Sequence, residues 1–550
     1  MESYPKRRSR SGCTECRSRH RKCDEARPSC SSCRRSGKEC TYEVRLSWGG
    51  RPFHKSRFGD CLRHDPGLVQ VPVTSPSSVT RQAFVYGSSI SQPNQRSPAN
   101  DGSQSGSWEE TGVTLTNTSQ TLSMFESSFN STNNRIIKNP DTLQWLHPEY
   151  RSLLDHFTSS TTRSLSCHKA AQQDFCSVLL PMALQTPHLL VAILSLAATH
   201  RVSLGLEQNQ IQLDLLKAAS LSQLKDVLAQ PEPALNDATV ATTLTLCMTD
   251  VVSHGRSPDS WRIHLQGAAA MISEHLQSVI ASPNSLTFAT SLLWRWFFSI
   301  ETVSLLCGNL AVSPVSRTGI QIQRVFGIDG IDDLAGFSSS LVPVFNDINI
   351  LAIQSEAEIY QSQSAITSQT AQPNNLLIER CHRAIREVSE KLASVRKPRF
   401  RPGVDGLLSS VHLTDFAALD ETYHHVALLQ LYRRVLNLPS SSPLVQTSVD
   451  QIISRVSSMH FLEEACPGVA VLQPLFSAGC EAHRPTDRDK IRGLLCRMES
   501  RYGMGNVRSA RGFLEELWAM RDASGDLEGR VRWDKVMGLC SYYSGFGVYA

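Results

Sequence analysis

Apolar residues recur every three or four positions over most of the chain beyond residue 140, which is the spacing of one buried helix face. The pattern is clearest in PHLLVAILSLAATHRVSLG (187–205), WRIHLQGAAAMISEHLQ (261–277), TYHHVALLQLYRRVLNL (422–438) and NVRSARGFLEELWAMRD (506–522). Prolines and glycines interrupt it, and the alternation typical of hairpin strands is scarce. The pattern therefore predicts a mostly α protein with a large all-helical domain over residues 141–550, longer than the ~250–300 residues at which single cores usually stop growing.

The segment between residues 64 and 140 has a different composition. It is rich in Ser, Thr, Gln, Asn and Pro, as in VPVTSPSSVT (71–80) and LTNTSQTLSM (115–124). Because so little apolar surface cannot offset the entropy lost on ordering, we expect a flexible, disordered linker. Residues 44–63 are basic but contain three aromatic side chains, which predicts a short ordered extension.

Positive charge is concentrated at the start of the chain. Residues 1–58 contain sixteen Lys and Arg against six Asp and Glu, whereas the rest of the chain contains 39 against 45. A small basic head on a larger acidic body is typical of proteins that bind polyanions. Such a basic segment usually binds a phosphate backbone, so double-stranded DNA is the expected partner.

We expect neither a membrane span nor a secretory signal. The most apolar run, Leu189–Ala198, is about half of the ~20 residues that a span needs, so a buried helix explains it better. The opening MESYPKRRSRSG has no apolar core after its charges. The protein is therefore expected in a reducing compartment, where clustered cysteines are metal ligands more often than disulfides.

Six of the sixteen cysteines lie in the first forty residues: Cys13, Cys16, Cys23, Cys30, Cys33 and Cys40. They form two halves of equal spacing, C-x2-C-x6-C, joined by six residues. Each half offers three thiolates, whereas Zn²⁺ in a structural site takes four ligands. Two zinc ions need eight ligand positions, so two of the six sulfurs must bridge, and the spacing predicts a binuclear zinc cluster. A disulfide framework and an iron–sulfur cluster are the disfavoured alternatives.

This block, residues 12–43, resembles the fungal Zn(2)-Cys(6) binuclear cluster, the DNA-binding family of the yeast galactose regulator. Asp24, directly after the third cysteine, also fits the family pattern. The resemblance implies that Cys13 and Cys30 bridge the two ions. The other ligands then divide into one pair for each zinc, Cys16 with Cys23 and Cys33 with Cys40. With its basic arm, the implied DNA-binding domain spans residues 1–43.

The helix that the resemblance would place in the major groove is RSRHRK (17–22), between the second and third cysteines. Relatives typically carry a lysine here that reads a CGG triplet, and His20 occupies its position. An imidazole can still donate to guanine N7 or O6, so we expect a CGG-like triplet, with His20 on a base, on a phosphate or in solvent. The remaining basic side chains are also expected on DNA, Arg19 and Lys22 most directly, Arg17 and Arg21 through phosphates.

Other basic residues flank this helix. The run PKRRSR is expected to be a nuclear-import signal or a phosphate-contacting arm, through Lys6, Arg7, Arg8 and Arg10. Arg34, Arg35 and Lys38 are expected on the corresponding helix of the second half, touching the DNA backbone or balancing the cluster's charge. Glycines and a proline after the cluster break any coiled coil, so we expect a monomer, or a homodimer formed through the helical body.

The helical body resembles the regulatory domain that accompanies this cluster in the branch of the family with regulators of GABA and arginine metabolism. The resemblance lies in PHLLVAILSLAATH (187–200), WRIHLQGAAAMI (261–272), IDDLAGFSSSLVPVFNDINILA (331–352), YHHVALLQLYRRVLNLPSSSPLVQ (423–446) and LQPLFSAGCEAHRPTDR (472–488). It implies an all-α module that modulates activity, binds co-regulators or the transcription machinery, or senses an effector.

Signals of catalysis are weak. The sequence contains no G-x-S-x-G elbow and no Walker phosphate-binding motif. Three groups of candidate side chains are expected to be structural: His424 with His425, Cys480 with His483, and Asp329 with Asp332 and Asp333. We therefore expect a protein that is not an enzyme.

Together these features predict a nuclear, sequence-specific regulator of RNA polymerase II genes with two Zn²⁺ as cofactors. Its length and family leave both a metabolic pathway and a secondary-metabolite gene cluster open as the controlled process. The alternative is a zinc-dependent adaptor whose basic head docks on acidic proteins without sequence-specific DNA binding.

Overall fold

The computed structural model describes residues 15–16, 23–24, 26, 29–38, 40, 69–73, 82–86, 146–207, 210–230, 236–253, 260–281, 286–307, 322, 330–364, 375–394, 398–400, 403–526, 529–534 and 536. They divide between two units, residues 1–67 and residues 68–550. The first unit contains the cysteine block and helix α1, Ser31–Arg35.

The described residues of the second unit are predominantly helical, which confirms the mostly α fold class. The helices are α2 Pro148–His156, α3 Lys169–Ala183, α4 Pro187–Ser203, α5 Gln210–Leu228, α6 Asp237–Val252, α7 Ser260–Ala281, α8 Phe288–Ser304, α9 Val342–Ser364, α10 Asn375–Ser394, α11 Ser410–Gln430, α12 Pro443–Ser458, α13 Leu472–Glu481, α14 Pro485–Tyr502 and α15 Gly505–Ser524. Short 3₁₀ or π turns extend or connect them at Phe157–Thr161, Arg163–Leu165, Leu305–Cys307, Ser339–Leu341, Asp405–Leu407, Leu431–Val435 and Pro467–Val471.

Helix α4 is the centre of the N-terminal half of the helical body. Its residues from His188 to His200 are all buried, and it packs against α2, α3, α5 and α6. Neighbours on several sides explain why the run Leu189–Ala198 is apolar all round rather than on one face. Among the described residues, no helix is long and apolar enough to span a membrane.

The C-terminal half is built around α11, which packs against α9, α10, α12 and α13. The two halves meet where α14 ends at Gly503, whose φ is 59°. A Cβ at Gly503 would lie 2.4 Å from Cγ of Leu204, just beyond the end of α4. Glycine is therefore required here both by the left-handed backbone and by the close approach of α4.

Two strands interrupt the segment that was predicted to be a linker. Strands β1, Val69–Val73, and β2, Gln82–Tyr86, pair antiparallel with Val69 opposite Tyr86 and Val73 opposite Gln82. The hairpin lies against α7 and α5. The alternating valines of VQVPV are a short strand pattern within a polar segment. The remainder of residues 64–140 lies outside the described residues, so its flexibility stays a prediction.

Candidate metal centre and nucleic-acid interface

Helix α1 brings two sulfurs of the second half to the metal centre. Cys30 is its N-cap residue, and the Cys30 Sγ accepts a hydrogen bond from the N–H of Cys33 at 3.3 Å. The helix stops because Gly37 turns left-handed, with φ of 60°, and the N–H of Lys38 donates to the carbonyl of Cys33 at 3.1 Å. This turn brings Cys40 back, and its Sγ accepts from the N–H of Cys30 at 3.3 Å.

Five of the six predicted ligands form two groups that share one sulfur. The ligand atoms of Cys16, Cys23 and Cys30 lie within 4.8 Å of one another, and so do those of Cys30, Cys33 and Cys40. The Sγ atoms of Cys16 and Cys30 are 3.6 Å apart. Two sulfurs held at ~2.3 Å by one tetrahedral zinc lie about 3.8 Å apart, so this spacing fits coordination of a common ion. Cys30 stands where a bridging thiolate would stand.

The donor set suits two zinc ions electrostatically as well. Cys30 and Cys33 are 0% and 1% exposed, so their thiolates would be costly without a cation beside them. Six thiolates and two Zn²⁺ carry a net charge of −2. The exposed side chains of Arg34, Arg35 and Lys38 provide positive charge close by in the chain.

Two polar contacts join the two halves of the cysteine block. The carboxylate of Asp24 accepts from the N–H of Ser31, with both oxygens at 3.2 Å, and also from the Ser31 hydroxyl. The ammonium of Lys38 lies 3.9 Å from a carboxylate oxygen of Glu15. Neither contact was predicted from the sequence, because cysteine spacing says nothing about which polar groups meet across the halves.

Several predicted site residues lie outside the described residues. Glu15 and Cys16 are helical, but the residues that would follow them on the DNA-reading helix are not described. These undescribed positions are the ligand Cys13, the helix residues Arg17, Arg19, His20, Arg21 and Lys22, and the basic arm Lys6, Arg7, Arg8 and Arg10. One expectation needs correction, since Lys38 follows the turn at Gly37 rather than lying on α1 as Arg34 and Arg35 do.

Among the side chains considered for catalysis in the body, His424, His425 and Cys480 are buried. His483 is partly exposed, and Asp329 lies outside the described residues. His424 lies with Nδ1 2.8 Å from the carbonyl oxygen of Asp420, one turn earlier on α11. Burial and the neighbouring Glu481 raise the pKa of the Cys480 thiol well above its usual value, so it stays protonated. Cys480 and His483 form no hydrogen bond with each other in the described structure.

Asp332 and Asp333 lie in the 331–338 loop and belong to a buried charge cluster. The Arg295 Nη2 on α8 donates to Asp332 Oδ2 at 3.2 Å and to Asp333 Oδ1 at 2.5 Å. His168 lies with Nε2 3.0 Å from the other oxygen of Asp333. The four side chains are at most 5% exposed, and they tie α8, the start of α3 and the 331–338 loop together.

A second buried ion pair is formed by the π turn that extends α11. All five residues of this turn are buried, including the consecutive arginines Arg433 and Arg434. The Arg433 Nε donates to Glu481 at 2.7 Å and its Nη2 to the carbonyl of Gly529 at 2.7 Å, while the Arg434 Nη1 donates to Asn349 at 2.9 Å. The C-terminal residues of the body are thereby attached to α13.

Asp250 on α6 forms a third buried cluster with Lys217 of α5 and His264 of α7. The Lys217 ammonium donates to one carboxylate oxygen, and His264 Nε2 lies 3.4 Å from the other. Burial opposes the charged form, but the hydrogen bonds and positive charges of His264 and Lys217 outweigh it and lower the pKa of Asp250 to about 2. The cluster joins three helices.

This depressed pKa predicts a stability difference that depends on pH. A carboxyl group with a lower pKa in the folded state stabilises that state above the unfolded pKa of ~3.9, and the effect is lost as pH falls towards 2. We expect Asp250→Asn to lower the free energy of unfolding by about 2 kcal/mol at pH 6, and by progressively less from pH 4 downwards. Denaturant unfolding followed by tryptophan fluorescence measures the loss of unfolding free energy and its dependence on pH.

The matched control is Asp405→Asn, which removes an exposed carboxylate in a short turn. It should leave the free energy of unfolding unchanged within about 0.5 kcal/mol across the same pH range. A deficit in Asp250→Asn that stays constant from pH 6 to pH 3 would contradict the assigned pKa.

A cavity of about 190 Å³ lies beside the C-terminal residues of the body. It is smaller than the ~300–1,000 Å³ of most ligand pockets. Two of its charged residues, Arg488 and Asp522, pair with each other at 2.8 Å. Another, Arg521, donates to the carbonyls of Cys480 and Val531. The cavity therefore presents little uncommitted charge to a ligand.

Comparison with known protein families identifies both units. Residues 152–544 match the family described as fungal specific transcription factor domain. Residues 11–49 match the fungal Zn(2)-Cys(6) binuclear cluster domain, a cluster that binds two zinc ions. The second match includes all six cysteines of the block, and the first covers most of the helical body.

Curated relatives are similar over short segments. The chain is 44% identical over 52 residues to the thiamine biosynthesis regulatory protein of Saccharomyces cerevisiae, covering 10% of this chain and 12% of the relative. It is 45% identical over 47 residues to adhesion and hyphal regulator 1 of Candida albicans, covering 8% of each chain. It is 48% identical over 46 residues to the Zn(2)-C6 fungal-type transcription factor afumD of Aspergillus fumigatus, covering 8% of this chain and 12% of the relative.

These relatives support the same class of protein without extending along the chain. The chain matches only about a tenth of the length of each. No solved structure matches it significantly. The family match over residues 152–544 covers more than half of the chain and agrees with the helical architecture of the body. The chain therefore belongs to the fungal specific transcription factor family and carries a Zn(2)-Cys(6) binuclear cluster domain.

Proposed function

We propose that this chain is a nuclear, sequence-specific regulator of RNA polymerase II genes that binds CGG-like triplets in the major groove. The observation that carries the proposal is the pair of cysteine groups that share Cys30. Two ions joined through a common thiolate hold a small unit rigid without a hydrophobic core, and the surrounding charge attracts DNA. All six cysteines are the ligands in this proposal, with Cys13 and Cys30 bridging.

The first half of the block carries the base-reading side chains in this proposal. Residues 17–22 supply four Arg or Lys side chains and His20 between the second and third cysteines. Arg and Lys are the usual donors to guanine O6 and N7, which makes a G-rich triplet the expected target. Arg34 and Arg35 are exposed on α1 and would contact phosphates rather than bases.

The direct experiment is selection of bound sites from random duplexes by the full-length zinc-loaded protein at two salt concentrations. We expect an enriched motif that contains a CGG-like triplet, and an affinity that falls steeply with salt. Retention on DNA without any enriched motif would overturn sequence-specific regulation. No retention at either salt concentration, together with capture of acidic proteins, would favour a zinc-dependent adaptor instead.

Substitution of Arg19 tests the base-reading helix. Because a lost contact to a base or a phosphate removes a charge-assisted hydrogen bond, Arg19→Ala should weaken binding of the selected duplex about tenfold. Both zinc ions should remain bound. Fluorescence anisotropy at low salt measures the affinity, and Arg383→Ala, at an exposed position on α10, is the control that should bind like wild type. Unchanged affinity for Arg19→Ala would reject its role.

The basic arm and the body have further roles in the proposal. Lys6, Arg7, Arg8 and Arg10 would direct nuclear import or contact phosphates, and the body would bind co-regulators or form a homodimer. The printed names of the relatives include thiamine biosynthesis and hyphal regulation, but they match this chain over segments too short to carry a pathway. We propose that the controlled genes belong to a metabolic pathway or to a secondary-metabolite gene cluster.

A further inference from the structure

The carboxylate of Asp24 connects the end of the first half of the cysteine block to the start of the second half through several hydrogen bonds. Asp24 follows Cys23 in the first half, and Ser31 is the first residue of α1 in the second half. Both carboxylate oxygens lie 3.2 Å from the N–H of Ser31, and Oδ2 also accepts from the Ser31 hydroxyl. The residue that directly follows the first half thus accepts from two donors of a single residue in the second half.

This contact satisfies a donor that α1 cannot satisfy itself. The first N–H groups of any helix have no partner within the helix. A helix of five residues is far below the length that is stable alone in water, so its position depends on outside contacts. Cys30 accepts from the N–H of Cys33 at this helix end, and Asp24 accepts from the N–H of Ser31.

The negative charge of Asp24 is unfavourable for DNA binding, so its presence needs a structural explanation. A carboxylate in a head that binds a polyanion weakens binding by repulsion, unless it stabilises the bound shape by more. A second polar contact across the halves, between Lys38 and Glu15, is longer at 3.9 Å, and the Lys38 side chain is 52% exposed. Exposed pairs of this kind contribute little.

We propose that Asp24 is a positioning residue that holds α1 against the first half and so sets the placement of Arg34 and Arg35 relative to the ligands Cys16 and Cys23. The cysteines share the metal, and Asp24 fixes the orientation of the second half around it. The consequence for DNA binding rests on the proposed function above. The consequence for zinc retention does not rest on that function, so either of the two predictions can fail without the other.

The experiment compares Asp24→Ala and Asp24→Asn in the full-length zinc-loaded protein. Asparagine keeps a carbonyl acceptor for Ser31, whereas alanine removes it. We expect Asp24→Ala to release zinc to a chromophoric chelator about tenfold faster than wild type and to bind the selected duplex about tenfold more weakly. Asp24→Asn should stay within about twofold of wild type in both assays, because it retains the acceptor and loses only the repelling charge.

A double-mutant cycle with Ser31→Ala separates this contact from a general loss of stability. Ser31→Ala alone should speed zinc release by a few-fold, and it should add almost nothing in the Asp24→Ala background, because the shared hydrogen bond is already gone. Additive effects would overturn the proposal. So would zinc release at the wild-type rate in Asp24→Ala, or an Asp24→Asn protein as impaired as Asp24→Ala. Altered zinc release with unchanged DNA affinity would overturn only the link to DNA binding.

Discussion

Replacement of Cys30 by alanine is expected to remove both zinc ions and to abolish specific DNA binding, while the helical body stays folded. Cys30 is the sulfur common to both ligand groups and is fully buried. Coordination contributes ~10–16 kcal/mol in small structural zinc sites, far more than so small a unit could obtain from packing. Affinity for the selected duplex should therefore fall about 1,000-fold, to the level of non-specific binding.

The comparison with Cys40→Ala distinguishes the loss of a shared ligand from the loss of a ligand that belongs to one group. Cys40 belongs to one ligand group only and is partly exposed, so its loss should leave the other zinc site loaded. Cys176→Ala, on α3 of the body, is the control and should retain both ions. Zinc content and gel-shift affinity measure the series, and circular dichroism checks the body. A Cys30→Ala protein with two zinc ions and normal affinity would show that this sulfur does not bridge.

The second large effect is expected at Arg295. Arg295→Leu leaves Asp332 and Asp333 buried without the guanidinium that both contact, and removing one partner of a buried cluster typically costs about 3–5 kcal/mol. The free energy of unfolding of the body should fall by that amount in a denaturant titration. Zinc content should not change, because the ligand cysteines belong to the other unit.

Two further variants test the physical reason for this loss. Arg455→Ala breaks a pair with Glu421 in which the arginine is 46% exposed, so it should cost less than about 1 kcal/mol. Arg295→Leu combined with Asp332→Asn and Asp333→Asn removes the buried charges together and should recover part of the stability. A triple variant less stable than Arg295→Leu would contradict the assignment of the loss to unpaired charge.

Periodicity predicted the helices that have one apolar face or a long apolar run. The stretches 187–205, 261–277 and 506–522 coincide closely with α4, α7 and α15. The stretch 422–438 belongs to α11 and its π turn, a local widening that a count of apolar residues does not reveal. Element type followed from spacing, whereas local irregularity depends on tertiary contacts.

Helix α6 illustrates why spacing misses some elements. Its sequence DATVATTLTLCMTDVV has no polar face, and its threonines are buried with the apolar residues. Thr242, Thr245 and Thr249 donate their hydroxyls to the carbonyls four residues earlier at 2.7–2.9 Å. Because the helix itself satisfies these hydroxyls, polar residues occupy core positions and erase the pattern.

The metal centre was more predictable than the rest of the site. Ligand spacing is a strong constraint, because few chemistries need six cysteines in two equal halves. The contacts of Asp24 with Ser31, and of Arg295 with Asp332 and Asp333, join residues through the folded chain. The sequence does not show whether water or a buried partner neutralises a charged residue, so the partners of Asp332 and Asp333 could not be predicted from it.

Native mass spectrometry of the purified full-length chain tests the central claim most directly, because it counts the metal ions held by each molecule. The shared position of Cys30 between two ligand groups predicts two zinc ions per chain. A chain that carries one zinc ion or none, and still binds its selected duplex, would contradict the account.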